Sequence, residues 1–273
     1  MAKVVNITRD GYYKSLKKDE VKMRKDKELK ELIKEIFIKS RFTYGYRRIT
    51  QALKDIGFKI NRKKVSRIMK NLGLKARASK KFRNTTDSNH DFLIAENILN
   101  REFVQDTPNK VWVSDITYIK TEKGWLYLTI IMDLFSRRII GYSMDDNMKT
   151  EMVLKALEMA YQFRKPKEKV LFHSDRGSQY ASNKFKKKLD DYGMIQSMSR
   201  KGNCWDNAPS ESFFHTLKVE EVYCRKEYST KEEAKACIFD YINVFYNKER
   251  IHSTLNYQAP VSFELEYFNR IVA

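Results

Sequence analysis

The sequence is short of the features that mark secreted, membrane-spanning or zinc-stapled proteins. Its three cysteines, Cys204, Cys224 and Cys237, show no C-x-x-C spacing. Three thiols cannot all pair within one chain, so neither a disulfide framework nor a zinc knuckle fits, and a reducing compartment is expected. The longest apolar run, residues 125–132, falls far short of the ~20 residues that span a bilayer. The opening residues 1–6 lack the apolar core of a signal peptide. No internal repeat or low-complexity tract is present. No heptad seam is present either, because the stripe from Leu29 to Phe37 covers little more than one heptad and a coiled coil needs about three or four. These absences predict a soluble, cytoplasmic chain with no membrane partner.

What is present is charge, unevenly placed. The 273 residues carry a formal net charge of +19 and are 42% hydrophobic and 13% aromatic, enough for a real core. Residues 1–88 hold 27 Lys and Arg against 9 Asp and Glu, whereas the remainder holds 27 against 26. That asymmetry points to a basic, nucleic-acid-binding front on a nearly neutral second domain. Residues 1–22 have no clear periodicity. Leu29, Leu32, Ile33, Ile36 and Phe37 then form a helical stripe, followed by Ile49, Ala52, Leu53 and Ile56 up to Gly57. After Asn61, a plausible N-cap, Val65, Ile68, Met69 and Leu72 repeat the stripe up to Gly73. Two short helices behind a supporting one, joined by a four- or five-residue connection, read as a helix-turn-helix. Arg62, Lys63 and Lys64 occupy the first turn of the last helix, where its dipole disfavours cations, and Arg67 and Lys70 continue that face. Phosphate contact with DNA explains the placement; an ordinary solvated face is the alternative.

The predicted domains are a basic helix-turn-helix domain at 1–80, a linker at 81–105, a catalytic core at 106–225 and a helical extension at 226–273. A short helix at 92–100 bridges into the core. There, strands at 111–119, 125–133 and 137–143 precede a helix at 150–163, a strand at 169–173, a helix at 183–192, a strand at 194–199 and a helix at 208–222. A last helix runs from Ser229 to about Tyr246, with Ser229-x-x-Glu232 as its capping box. The fold class is α/β, a mixed five-stranded sheet with flanking helices behind an all-α front.

Three carboxylates stand out. Asp115 interrupts an apolar strand, Asp175 lies just past the end of a buried strand, and Glu211 falls in the first turn of a helix capped by Asp206 or Asn207. Singly, each has a structural explanation. Together, on neighbouring strands and a nearby helix, they would repel unless cations intervened. All-oxygen ligands suit Mg2+ or Mn2+, and two such ions about 3.5–4 Å apart support in-line phosphoryl displacement. Asp133, Asp145 and Asp146 read as turn residues, and His252 as a support of the C-terminal turn. His215 suits the metals, an apolar contact or a phosphate. Trp205 suits a stacked base or an anchor for its loop.

Asp115-Ile116-Thr117-Tyr118, the run from His173 to Tyr180, and the run from Asn207 to Lys218 resemble the three blocks of the Asp-Asp-Glu transposases. The 35 residues between Asp175 and Glu211 match a spacing shared with retroviral integrases, and Lys218 matches the basic residue that accompanies the Glu. Tyr246-Asn247, Arg250, His252-Ser253, Leu255 and Ala259-Pro260 resemble the C-terminal block of bacterial insertion-sequence transposases. The resemblance is to the downstream product of the group encoded in two overlapping reading frames, and it covers about residues 8–265. It implies a ribonuclease-H-like core, with Asp115, Asp175 and Glu211 as catalytic metal ligands and Lys218 near the scissile phosphate. It further implies cleavage at terminal inverted repeats and strand transfer to target DNA through circular intermediates. It also implies a homo-oligomer of at least two copies on DNA, nucleoid association when bound, and an upstream-frame partner or fused segment. The His/Cys zinc module of retroviral integrases has no counterpart here. The rival readings are a ribonuclease-H-like nuclease that only hydrolyses and a DNA-binding regulator with an inactive core.

Overall fold

The computed structural model describes residues 8–77, 93–224 and 227–272, and the chain divides into two compact units, Met1–Arg77 and Ala78–Ala273. The first unit is helical: α1 (Arg9–Lys39), α2 (Tyr46–Asp55) and α3 (Arg62–Asn71). Leu29, Ile33, Phe37, Ile49, Leu53, Val65, Ile68 and Met69 are buried and form its core. The sequence pattern locates this core but not the start of α1, which reaches back to Arg9. Tyr13, Leu16 and Met23 are exposed, so these three add nothing to a buried stripe. α1 ends where Arg41 and Phe42 enter the left-handed region (φ 55° and 61°). The six residues 56–61 link α2 to α3, somewhat more than expected, and Asn61 caps α3 by accepting from the Lys63 amide at 2.8 Å.

The second unit is built on β1 (Val111–Thr121), β2 (Gly124–Asp133), β3 (Arg138–Asp145), α4 (Thr150–Arg164), β4 (Leu171–Ser174), the single turn α5 (Ser178–Ala181) and α6 (Asn183–Asp191). It continues through β5 (Ile195–Met198), α7 (Ala208–Leu217), α8 (Lys231–Asp240) and α9 (Pro260–Val272). The five strands lie in the order β3-β2-β1-β4-β5. The hairpin-linked pairs β1–β2 and β2–β3 are antiparallel, whereas β1–β4 and β4–β5 are parallel, as crossover connections require. One face buries Trp112, Ile131, Ile140 and Phe172 against Val153, Ala156, Leu157, Tyr180 and Phe185 from α4, α5 and α6. Gly141 permits this approach: a Cβ there would sit 2.4 Å from the Ala156 carbonyl oxygen. The opposite face meets α7 at β1 and α8 at β2.

Both sheet edges are covered. At β3 the Asn247 amide accepts from the Ile139 N–H (3.0 Å) and donates to the Ile139 carbonyl (2.9 Å), as a neighbouring strand would. At β5 the Met198 N–H donates to the Glu96 carbonyl, and Ser197 Oγ accepts from the Ile98 and Leu99 amides. That second contact corrects the bridging helix expected at 92–100. Its described residues, 93–100, are non-helical, because they spend their backbone groups on the sheet edge. Residues 78–92, which include the first part of the expected linker, lie outside the described residues. The last helical region also differs. Thr230 caps α8 by accepting from the Glu233 amide, and Glu233 accepts from the Ser229 amide, so the capping box lies one residue later than expected. From Tyr241 to Glu249 the helix widens into π turns. Among the described residues no helix is long and apolar enough to cross a membrane.

Candidate active site

β1 and β4 run parallel with Val113 beside His173. Two residues further along each strand direction stand Asp115 and Asp175, on the face that meets α7. Backbone N–H groups orient both carboxylates. Asp115 Oδ1 accepts from the Ile116 amide at 2.8 Å, and Asp175 Oδ1 accepts from the Gly177 amide at 2.9 Å. Gly177 is needed for that turn, since a Cβ would lie 3.1 Å from Asp175 Oδ1. Glu211 arrives on the first turn of α7, next to Pro209 at the helix start. The expected side-chain cap is not used. Asn207 instead donates to the Ser114 carbonyl at 3.1 Å, which ties the start of α7 to β1 one residue before Asp115.

The electrostatics single out this spot. Burial first, then the charges of Asp175 and Glu211, raise the Asp115 carboxyl well above the ordinary range. Burial and Asp175 raise Glu211 as well. Lys218 is buried with its ammonium 4.9 Å from the Tyr118 ring centre; burial lowers it to about 8, with Asp115 opposing the shift. The structure therefore brings Asp115, Asp175, Glu211 and Lys218 into one field. It does not draw the acids into contact: among the described residues no three His, Cys, Asp or Glu side chains are close enough to hold a metal ion as they stand. Hard oxygen donors whose charged forms are disfavoured by one another form a donor set suited to a divalent cation.

On the opposite face of the sheet a buried Tyr180 braces β1. Its hydroxyl lies 2.7 Å from Ser114 Oγ and 3.3 Å from Thr129 Oγ1, and Thr129 donates to the Asp115 carbonyl at 3.3 Å. Sequence reasoning passed over Tyr180, although a tyrosine five residues past an active-site acid was a usable signal. It also undervalued Asp206, which anchors the loop before α7. Arg200 donates to Asp206 through its amide, Nε and Nη2 (2.8–2.9 Å), Arg101 Nε does so at 2.7 Å, and Asn97 at 2.9 Å.

Family models match three segments: an HTH-like domain over residues 24–82 and an integrase core domain over 105–204 and again over 211–268. The insertion element IS600 uncharacterized 31 kDa protein of Shigella sonnei is 40% identical over 268 residues, 98% of each chain. Transposase InsF for insertion sequence IS3A of Escherichia coli is 36% identical over 267 residues, 97% of this chain and 92% of that one. The chain belongs to the insertion-sequence transposases. Solved structures with a similar fold include a chain of the simian T-cell lymphotropic virus intasome (15% identity, 78% of this chain and 69% of that one, TM-score 0.49). The HTLV-2 integrase catalytic core in complex with magnesium is similar over 57% of this chain and 97% of its own (14% identity, TM-score 0.44).

In this transposase the remaining sequence candidates fall as follows. Asp133 serves a turn, accepting from the Asn109 and Phe135 amides. Asp145 accepts from the Asp146 amide, and Asp146 pairs with Lys231. Glu211 and His215 are exposed while Lys218 is buried. The expected common face of α7 thus runs from exposed Glu211 and His215 to a Lys218 whose ammonium is covered by the Tyr118 ring. Trp205 is 69% exposed, so it is not a buried anchor; Asp206 does that work. His252 supports the C-terminal turn as expected, its amide donating to the Gln258 carbonyl. In the first unit Arg62, Lys63, Arg67 and Lys70 are exposed on α3, whereas Lys64 pairs with Asp26 at 2.8 Å.

Proposed function

We propose that this transposase cuts and joins DNA with Asp115, Asp175 and Glu211 holding two divalent cations, Mg2+ or Mn2+. The observation that carries the reading is the mutual electrostatic penalty of these carboxylates at the ends of β1 and β4 and the start of α7. Bound there, the cations would supply Lewis-acid activation of the attacking oxygen and neutralise the leaving one. The chain's own residues do the rest. The Ile116 and Gly177 amides orient two carboxylates, Tyr180 and Asn207 hold β1 and α7 in register, and Lys218 meets a phosphate oxygen beside the acids. Exposed Arg62, Lys63, Arg67 and Lys70, with Lys64 at the edge of the same face, bind the double-stranded DNA backbone. Each element end needs an active site, so at least two copies assemble on terminal inverted repeats and target DNA. An upstream-frame product or fused segment adds end specificity. The place of action is the bacterial cytoplasm, at the nucleoid when DNA is bound. Cleavage and joining of a labelled element-end duplex by Asp175→Asn, with calorimetric Mn2+ binding measured in parallel, tests the site. Both should be lost while DNA binding survives; near-normal cleavage in Mg2+ would remove Asp175 from it.

A further inference from the structure

The C-terminal block is absorbed only in part by the proposed acid site. Its chemistry centres on Arg250, which forms a buried ion pair with Glu220, nine residues beyond Glu211. Glu220 is 7% exposed and Arg250 4% exposed. Arg250 donates twice to Glu220, Nε to Oε2 and Nη2 to Oε1, each at 2.7 Å, and the Tyr241 hydroxyl donates to Oε2 at 2.8 Å. Arg250 Nη1 lies 3.3 Å from His252 Nε2, and its guanidinium faces the Tyr246 ring, which in turn meets Phe213 of α7 edge-on. Glu221, also buried, is reached by the Tyr228 hydroxyl at 3.4 Å. Residues 228–252 thus grip the five-residue π turn that continues α7.

Two points argue that this grip serves the site as well as the fold. Buried ion pairs are poor stabilisers, since apolar residues of similar volume often do as well or better. A π turn gives up regular helical hydrogen bonding, and such turns gather at functional sites. The residue this one presents is Lys218, at its first position and two residues from Glu220. By its helical spacing Lys218 lies on the same side of α7 as Glu211 and His215. Its amide still donates to the Phe214 carbonyl, and its own carbonyl accepts from the Tyr223 amide at 2.7 Å, so the π turn fixes the backbone that carries Lys218 under Tyr118 toward Asp115.

We infer that Arg250 and Tyr241, acting through Glu220, are positioning residues for Lys218, holding the π turn that keeps its ammonium beside the acid site where the DNA phosphate is cut. The inference rests on the proposed acid site. The test is a set of double-variant cycles on the full chain, scoring kcat and KM for element-end cleavage. The single variants are Lys218→Gln, Tyr241→Phe and Arg250→Lys, and each of the latter two is also combined with Lys218→Gln. Tyr241→Phe and Arg250→Lys should each lower kcat about tenfold, the worth of a hydrogen bond to a charged group, with KM unchanged. In the Lys218→Gln background neither should lower it further. Losses that multiply in the double variants, or single variants with wild-type kcat, overturn the inference. Tyr241→Phe removes one hydroxyl and leaves Glu220 paired with Arg250, so it decides the matter if Arg250→Lys fails to fold. An Asp175→Asn control separates the two readings. If that variant still cuts, the acid site falls and this inference with it; if it is inactive while the losses multiply, only the positioning role falls.

Discussion

Asp115 and Asp206 are the same residue type in the same unit, and the fold treats them in opposite ways. Asp206 is fully buried and ringed by Arg200, Arg101 and Asn97, which hold its carboxyl far below the usual range. Asp115 has its own neighbour's amide, two further acids nearby and only Lys218 in opposition, and is pushed up. Glu264, held by Ser136, Arg138 and Arg164 and lowered, sides with Asp206. A carboxylate that finishes the fold arrives with its cations supplied by the chain. A carboxylate meant for a ligand is left among its own kind, and the folded protein bears the cost until the ligand comes.

The strongest way to break that comparison is to neutralise the acids in turn. Asp115→Asn, Asp175→Asn and Glu211→Gln should each reduce cleavage by more than the about 10–100-fold that loss of a supporting partner costs a metal site. The cation-free protein should become no less stable, and Asp115→Asn should become more stable, because repulsion and desolvation are relieved together. Urea unfolding in chelator checks this; a destabilised Asp115→Asn would place Asp115 with Asp206. Next in size is Arg250→Ala, which strands a buried Glu220 and should cost about 3–5 kcal/mol in the same measurement. Asp206→Asn should cost less, about 1–3 kcal/mol, since Arg200 and Arg101 are nearly half exposed (side chains 48% and 42%) and can turn to water.

Titration sharpens the contrast. Asp206 is lowered, so its contribution is fully present above the unfolded value of about 3.9 and is lost as the pH falls below it. Asp115 is raised, so between about 3.9 and its folded value the native state keeps a proton the unfolded chain has released, and stability grows as the pH falls through that window. The stability difference between wild type and Asp206→Asn should therefore hold from pH 7 to 5 and decline steadily below about 4, with much of it still present at about pH 3. The difference between wild type and Asp115→Asn should shrink steadily on acidification. His173, buried between Ser197 and Ser199 and lowered by burial to about 4, weakens the wild type below about pH 6.5. It does so equally in wild type and Asp115→Asn and cancels there, whereas Asp206 raises His173, so in Asp206→Asn the weakening is larger.

The same distinction explains what was legible in the sequence. Asp115, Asp175 and Glu211 were readable because their placement offends local rules: a strand aspartate, an acid at a strand end, an acid ahead of an apolar helix. The mixed five-stranded sheet followed from element spacing and connection lengths, though not its strand order. Asp206 read as one more capping residue, because its arginines come from 105 residues away and from six, and only the closed loop joins them. The burial of Lys218 was hidden for a related reason. The spacing puts it on one face with Glu211 and His215, and the ring that covers it, Tyr118, comes from 100 residues away. The non-helical stretch at 93–100 was missed because sheet-edge hydrogen bonds outweigh helix propensity there.

The smallest effect lies in the other unit, on the exposed cations of α3. Arg62, Lys63, Arg67 and Lys70 stand on α3 in water, and their use is the release of counterions from DNA. Replacing Arg62, Lys63 and Arg67 by Ala should flatten the slope of log K against log[salt] by about 0.9 for each phosphate no longer neutralised. Lys64→Ala should change it less, because Lys64 already spends part of its charge on Asp26. The slopes should be the same with and without Mn2+, since these residues belong to no carboxylate field. Binding isotherms on an element-end duplex from 50 to 300 mM salt (about that range suffices) give all of them. An unchanged slope in the triple variant would make α3 an ordinary solvated face. A slope that shifts for Lys64→Ala as much as for Arg67→Ala would mean that the Asp26 pair opens on DNA, and that the first unit too keeps a charge in reserve for its ligand.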